Sequence, residues 1–167
     1  MTGAGKKLNH ILVPVVMFLF GAVLGVASKL LDIHTQNLGN IFSQMSIWIL
    51  LGSLIAIFSK TKGKAALNVF LFCIGMLIAY YITAELTTSV YGMTFIYGWD
   101  AFSICSPVFA VLTWMSKEKG PLGMIISFGI LLVALMVSMV TFDGRSVYDI
   151  VIILVLAYFL FMHKVKR

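Results

Sequence analysis

Charged residues are scarce in this chain of 167 residues. They make up 11% of the sequence, whereas 61% of the residues are hydrophobic and the mean hydropathy is +1.06. A soluble domain carries about 25% charged residues, so this composition excludes a water-soluble globular protein and a disordered chain. Only two cysteines are present, which excludes a disulfide scaffold as well. The sequence therefore predicts an integral membrane protein.

The familiar motifs of catalytic and metal sites are also missing. Cys73 and Cys105 lie in apolar runs and neither belongs to a CxxC pair, so each is expected to behave as a small apolar residue. Neither HExxH nor GxSxG occurs in the sequence. His10 and His163 are expected on one side of the membrane and His34 on the other, so they cannot share a metal ion. The sequence predicts no metal site and no cofactor.

Six apolar segments follow one another along the chain. Each is continuous rather than alternating, which favours helices over a β-barrel. A helix crosses the apolar part of a bilayer with about 20 residues, so six spans leave room only for short loops. We therefore predict an all-α fold, a polytopic membrane bundle of six transmembrane helices in a single domain. The segments cover approximately residues 11–31, 41–59, 65–84, 99–116, 121–142 and 146–162.

The basic residues are distributed unevenly between the two sides of this predicted bundle. With the N-terminus in the cytoplasm, ten of the twelve basic residues fall in cytoplasmic segments, and only Lys29 and Arg145 lie on the outer side. Five of the six acidic residues fall on the outer side, Glu118 being the exception. This asymmetry follows the positive-inside rule. It predicts a multi-pass protein of the inner (plasma) membrane with both termini in the cytoplasm.

The net charge of +6 has the same explanation. Basic residues flank membrane spans on the cytoplasmic side, and the chain has no nucleic-acid-binding motif. We therefore expect the lipid bilayer, and not a nucleic acid, as its surroundings.

Small residues form a stripe along the first predicted span. Gly21 and Gly25 make a GxxxG pair, and Ser28 extends the stripe toward the end of the span. Small residues let two helix backbones approach closely within a membrane. The stripe therefore predicts helix packing, either inside this bundle or against a partner subunit in the membrane.

Aromatic and acidic residues gather at the outer ends of the predicted helices. Tyr80 and Tyr81 lie near the outer end of the third span, and Glu85 follows Tyr81 by one helical turn, so these two share a face. Trp99 and Asp100 begin the fourth span. Because aromatic ring faces attract cations and buried carboxylates seek them, these five residues form a candidate ligand-binding site. The alternative is an interfacial belt of aromatic side chains beside hydrated acids.

Three functions are compatible with these patterns. The first is a component that binds or transports a small solute at the extracytoplasmic helix ends. It would need a partner to drive transport, because the chain has no nucleotide-binding motif. The second is a non-transporting accessory or protective subunit that packs on a membrane partner through the first helix. The third, more remote, is a membrane enzyme that uses paired acids.

Several short motifs resemble those of a known family. They are Gly21-x3-Gly25, Trp48 and Gly52 in the second span, Tyr80-Tyr81, Trp99, and Ser106-Pro107-Val108-Phe109. Over residues 21–123 the chain resembles a family of small bacterial multi-span membrane proteins known only as a domain of unknown function. It has Ser106 where a glycine is expected before Pro107, and Ala110 after Phe109, where a glycine or another small residue is expected. The resemblance implies a membrane bundle and no particular activity.

The chain is also similar to the substrate-binding S-components of energy-coupling-factor vitamin transporters. The likeness lies in the size, the predicted topology and the stripe at Gly21 and Gly25. Those proteins have six helices, keep both ends in the cytoplasm, dock on a transporter module through small residues of the first helix, and bind a vitamin at the outer face. The likeness implies an outer ligand site and a membrane partner, and it identifies no particular vitamin.

Overall fold

The computed structural model describes residues 3–35, 41–42, 44–87, 93–142, 147–163 and 165. Within these residues the chain is all-helical and contains no β-strand, as the continuous apolar runs predict. The helices are α1 (Gly3–His34), α2 (Met45–Phe58), α3 (Lys62–Leu86), α4 (Met93–Met115), α5 (Pro121–Phe142) and α6 (Val147–Ala157), and α6 continues as a π-helical turn at Tyr158–Met162. Asp143, Arg145, Lys164, Lys166 and Arg167 lie outside the described residues.

Four of these helices contain segments long and apolar enough to cross a membrane. The segments are Leu12–His34, Lys62–Leu86, Ile96–Met115 and Pro121–Met139. The other two helices, Met45–Phe58 and Val147–Met162, are apolar but shorter. The architecture is compatible with an integral membrane protein. Membrane crossing by the two shorter helices and the cytoplasmic location of the termini stay predictions.

Three helices have bounds other than those of the apolar segments in the sequence. α1 begins at Gly3 and α4 at Met93, so both start well before the apolar segments expected at residues 11 and 99. The interval between the third and fourth apolar segments is therefore helical from Met93 onward. α2 begins at Met45, and Ile41 and Phe42, at the start of the predicted segment, are also helical. Hydropathy detects only the apolar part of a helix, whereas the backbone hydrogen bonds continue into the polar residues at either end.

α1 packs against α3 along the stripe of small residues. A Cβ atom at Gly21 would collide with the carbonyl oxygen of Phe72, and one at Gly25 with the carbonyl oxygen of Met76. From the other side, a Cβ at Gly75 would collide with the carbonyl oxygen of Phe18. The two backbones are therefore in direct contact, as small residues allow. Gly21 lies against Phe72, and Gly25, one turn further on, lies against Met76, one turn further along α3. α1 and α3 therefore run parallel, and α2, which connects them in the sequence, runs in the opposite direction.

The lysine-bearing loops meet at one end of the bundle, which we call the lysine end (residues 59–64, 117–119 and 163). Lys62 pairs with Glu118 at 2.9 Å, which joins the start of α3 to the loop before α5. The Nε1 of Trp114 donates to the carbonyl oxygen of Ser59 at 2.9 Å. Lys117 reaches the end of the last helix, where its Nζ donates to the carbonyl oxygen of His163 at 2.8 Å.

The turns at the lysine end are encoded locally. Thr61 caps α3, because its Oγ1 accepts a hydrogen bond from the backbone N–H of Lys64 at 3.2 Å. Gly120 has φ of 119°, a conformation that residues with a side chain rarely adopt. Pro121 then begins α5, where a residue without an N–H costs no helical hydrogen bond.

The opposite end, which we call the acidic end, carries Asp32, Asp100 and Asp149. Between the two ends, the core is centred on Trp48, whose ring lies 6.1 Å from that of Phe72 and 6.2 Å from that of Trp99. A second apolar cluster joins α2, α5 and α6 and includes Ile57 and Leu156. Outward-facing residues of α5 and α6 are large and apolar, such as Ile125, Leu132, Val151 and Leu154. Such exposed faces match a lipid environment.

Candidate functional site

A cavity of about 450 Å³ lies between α2, α3, α4 and α5, and we call it the central cavity. Its volume falls in the range of small-molecule sites, roughly 300–1,000 Å³. Apolar side chains form most of the wall, including Trp48 of α2, Val69 of α3, Phe102 of α4 and Ile130 of α5. No charged residue is among the described residues that line it. The cavity is therefore suited to an uncharged molecule.

Small residues create the space on two sides of the cavity. Gly52 lies on α2, where a Cβ atom would meet the Cγ1 of Val69 at 3.6 Å. Gly129 lies on α5, where a Cβ would meet nothing within 4 Å. Ala110 on α4 is buried and completes this part of the wall. A larger side chain at any of these positions would project into the cavity or close the gap between helices.

Four small polar residues interrupt the apolar wall: Ser53, Cys73, Ser106 and Thr113. Two of their hydroxyls are engaged within their own helix, because Ser106 donates to the carbonyl oxygen of Ser103 at 2.7 Å and Thr113 donates to that of Phe109 at 2.8 Å. Ser53 is 5% exposed, and its hydroxyl has no hydrogen-bond partner in the described part of the chain. One hydroxyl on the cavity wall is thus uncommitted.

The cavity opens sideways between α4 and α5. Phe109 and Leu112 of α4 and Val133 of α5 line the cavity and are also exposed on the outer surface of the bundle, Phe109 by 47% and Val133 by 47%. The cavity is partly open to its surroundings, and these exposed lining residues place its open side between the two helices. In a bilayer that opening would face the lipid chains.

The structure brings four of the five predicted ligand-binding residues together at the acidic end. We call Tyr80, Tyr81, Trp99 and Asp100 the rim cluster. The Oη of Tyr81 donates to the Oδ1 of Asp100 at 2.9 Å, and the rings of Tyr80 and Tyr81 meet edge-on at 6.0 Å. Trp99 is buried against Trp48. Their role in ligand binding stays a prediction.

The rim cluster is closed in this structure. The void between Tyr80, Tyr81 and Trp99 measures about 10 Å³, which is about the space that one water molecule needs. Glu85, the fifth predicted residue, is exposed and lines neither this void nor the central cavity. Trp48 lines both spaces, so this residue lies between the rim cluster and the central cavity.

Lys29 lies at the acidic end, the side to which the charge pattern assigned it, but its burial there was not indicated by the sequence. Its side chain is 2% exposed, although it carries a charge. The Nζ lies 3.3 Å from the Oδ2 of Asp32 and 5.1 Å from the ring centroid of Tyr80. The aliphatic stem is buried while the ammonium group has an acid and a ring face as partners. No pattern of spacing distinguishes this lysine from a solvated one.

The described carboxylates of the acidic end have separate partners. Asp32 pairs with Lys29, and Asp100 accepts from Tyr81. Asp149 is 1% exposed, and its Oδ1 accepts a hydrogen bond from Ser46 at 2.6 Å. The described residues contain no group of three or more histidine, cysteine or acidic side chains that could hold a metal ion. The described geometry therefore offers no support for the enzyme with paired acids.

Sequence reasoning did not identify the central cavity. Its polar residues lie on three helices, and only Ser106 and Thr113 share one, where their spacing of seven places them on the same face. Nothing in that spacing distinguishes a cavity wall from a packed interface. No protein-family model, curated protein or solved structure matches the chain. The function proposed below therefore stands on the geometry of the site.

Proposed function

We propose that this protein is a membrane component that binds a small, uncharged solute inside its helix bundle. The observation that carries the proposal is the central cavity, because its volume of about 450 Å³ and its apolar wall with a few small polar residues are those of small-molecule sites. The proposed function is still solute binding or transport, as in the hypothesis from the sequence. The proposed binding site is the central cavity inside the bundle and not the extracytoplasmic helix ends.

The rim cluster acts in this proposal as the closed extracytoplasmic end of the bundle. Trp48 separates it from the central cavity, and the hydrogen bond between Tyr81 and Asp100 holds α3 and α4 together above that wall. A transport cycle would require Trp48 to move, and a partner would have to supply the energy. We assign the lysine end to the cytoplasm and the bundle to the inner membrane on the positive-inside rule.

The structure offers less support for docking on a partner through the first helix. Gly21, Gly25 and Ser28 are buried, and the two glycines lie directly against α3 of the same chain. A partner could reach this stripe only if α1 left the bundle. We therefore favour the binding protein over the accessory subunit.

Native mass spectrometry of protein extracted in lipid nanodiscs tests the proposal. The variant Gly129→Leu fills open space on the cavity wall, whereas Gly98→Leu places the same side chain at an exposed helical glycine outside the cavity with equally open surroundings. We expect a small-molecule adduct on the wild type and on Gly98→Leu, and its loss from Gly129→Leu. An adduct that persists on Gly129→Leu, or no adduct on any of the three, contradicts the proposal.

A further inference from the structure

The wall of the central cavity limits the charge of its occupant. The described lining residues include none with a charged side chain, and an unpaired charge in the interior of a membrane bundle is energetically costly. A ligand with a carboxylate, phosphate or ammonium group inside the cavity would have no counter-charge there. The occupant is therefore neutral along the part that the cavity encloses.

The size of the cavity limits the length of the occupant. A volume of about 450 Å³ corresponds to about fifteen groups of the size of a water molecule, at roughly 30 Å³ each. That is the scale of a single hydrocarbon chain or a compact ring system, and it is smaller than a whole phospholipid. The opening at Phe109, Leu112 and Val133 faces the surface that lipid chains would cover. A molecule dissolved in the bilayer reaches it without entering water.

The hydroxyl of Ser53 gives this apolar cavity one specific polar contact. The hydroxyl protons of Ser106 and Thr113 are already donated to carbonyl oxygens of α4. These two residues therefore have no free hydroxyl proton to donate to a ligand. Ser53 is 5% exposed and keeps a free donor among the described residues. Because Ser53 lines the cavity, an acceptor oxygen on the occupant would accept a hydrogen bond from its hydroxyl.

We infer that the central cavity takes a neutral, lipophilic molecule of about fifteen non-hydrogen atoms from the bilayer and holds a carbonyl or ether oxygen of that molecule on the hydroxyl of Ser53. This inference rests on the proposed function and adds the class of ligand to it. It assigns Ser53 the role of selecting among lipophilic molecules, while the apolar wall supplies most of the affinity.

Photochemical labelling in nanodiscs tests the inference. Three probes share a chain of about fifteen non-hydrogen atoms with a mid-chain diazirine, and they differ at one end: methyl ketone, methyl group or carboxylate. After irradiation, peptide mapping reports the fraction of label on cavity-lining segments of α2, α4 and α5. We expect the ketone to label them about two- to tenfold more than the alkane, the range for one net hydrogen bond, and the carboxylate to be excluded from them.

Variants separate the hydroxyl from the cavity. In Ser53→Ala, labelling by the ketone should fall to the level of the alkane, whereas Ser106→Ala, whose hydroxyl is engaged within α4, should keep the preference. Equal labelling by ketone and alkane in the wild type, or an unchanged preference in Ser53→Ala, overturns the inference and leaves the proposed function intact. If no probe labels the cavity and Gly129→Leu does not change the adduct in native mass spectrometry, both the inference and the proposed function fail.

Discussion

Tyr81 and Asp100 join the outer end of α3 to the start of α4 through a hydrogen bond of 2.9 Å from the phenol Oη to the carboxylate Oδ1. Both residues belong to the candidate site proposed from the sequence, and the contact closes the bundle above Trp48. A hydrogen bond to a charged acceptor contributes about 1.5–3 kcal/mol.

Replacing Tyr81 by phenylalanine should therefore lower the free energy of unfolding by about 1–2 kcal/mol. This is less than the full value of a hydrogen bond to a charged acceptor, because the site is partly exposed. The ring and its packing remain in this variant, so the change isolates the phenolic hydroxyl. A double-mutant cycle with Asp100→Asn, measured by steric trapping in bicelles, gives the coupling between the two groups. Additive single effects would show that the contact contributes nothing to stability.

Lys29 provides the second prediction, since its charge lies over the ring of Tyr80 while its stem is buried. Truncation by Lys29→Ala should destabilise the protein by about 2 kcal/mol, because packing is lost together with the cation–π contact. Lys29→Met keeps the stem and removes the charge, so it should cost less than half as much. Equal losses in thermal unfolding for the two variants would assign the whole effect to the ammonium group.

The helix contact between α1 and α3 makes the third prediction a comparison of glycines. In Gly25→Ala the new Cβ must displace the carbonyl of Met76, so we expect a loss of about 2–3 kcal/mol as the helices separate. Gly129→Ala is the matched control, because its Cβ meets nothing within 4 Å and alanine favours the helix by about 0.5–1 kcal/mol. Chemical unfolding in mixed micelles measures both. A neutral Gly25→Ala would mean that α1 and α3 are not in close contact in the membrane.

Ser46 and Asp149 connect α2 to α6 inside the acidic end, and they make the fourth prediction. Among the described residues, Ser46 is the only hydrogen-bond donor to the Asp149 carboxylate. The Oδ2 of Asp149 has no partner there. Ser46→Ala should therefore lower the free energy of unfolding by about 1.5–3 kcal/mol. Ser138→Ala is the control, a buried serine with no hydrogen bond among its described neighbours. Similar effects of the two variants would refute a specific role for the contact.

The helices were predictable from sequence because lipid permits few alternatives. A backbone in an apolar environment must satisfy its own hydrogen bonds, so a continuous apolar run predicts a helix regardless of its neighbours. The start of α4 was not predictable, because Tyr97 and Gly98 interrupt the apolar pattern without interrupting the helix. Interfacial residues contribute little to hydropathy, while they continue the backbone hydrogen bonding of the adjoining apolar turns.

The candidate site was less predictable than the helices, for a different reason. Tyr81 and Glu85 share a helix face by spacing, yet Tyr81 contacts α4 and Glu85, one turn nearer the end of α3, is exposed. Periodicity gives the face of a residue and does not give the height at which a neighbouring helix ends. The central cavity depends on the distance of α5 from α2, α3 and α4, which is a property of packing. Its lining serines and glycines are equally common where helices pack without a gap.

The orientation of the bundle in the membrane is the fifth prediction. Lys119 is exposed at the lysine end and Glu85 is exposed near the end of α3 on the other side. In a chain freed of its own cysteines by Cys73→Ala and Cys105→Ala, we expect Glu85→Cys to react with a membrane-impermeant maleimide on intact cells. Lys119→Cys should react only after the membrane is opened, because lysine-rich loops are retained in the cytoplasm. Reaction of Lys119→Cys alone on intact cells would invert the orientation. Reaction of both would place the two positions on the same side of the membrane and refute the alternating crossing of the helices.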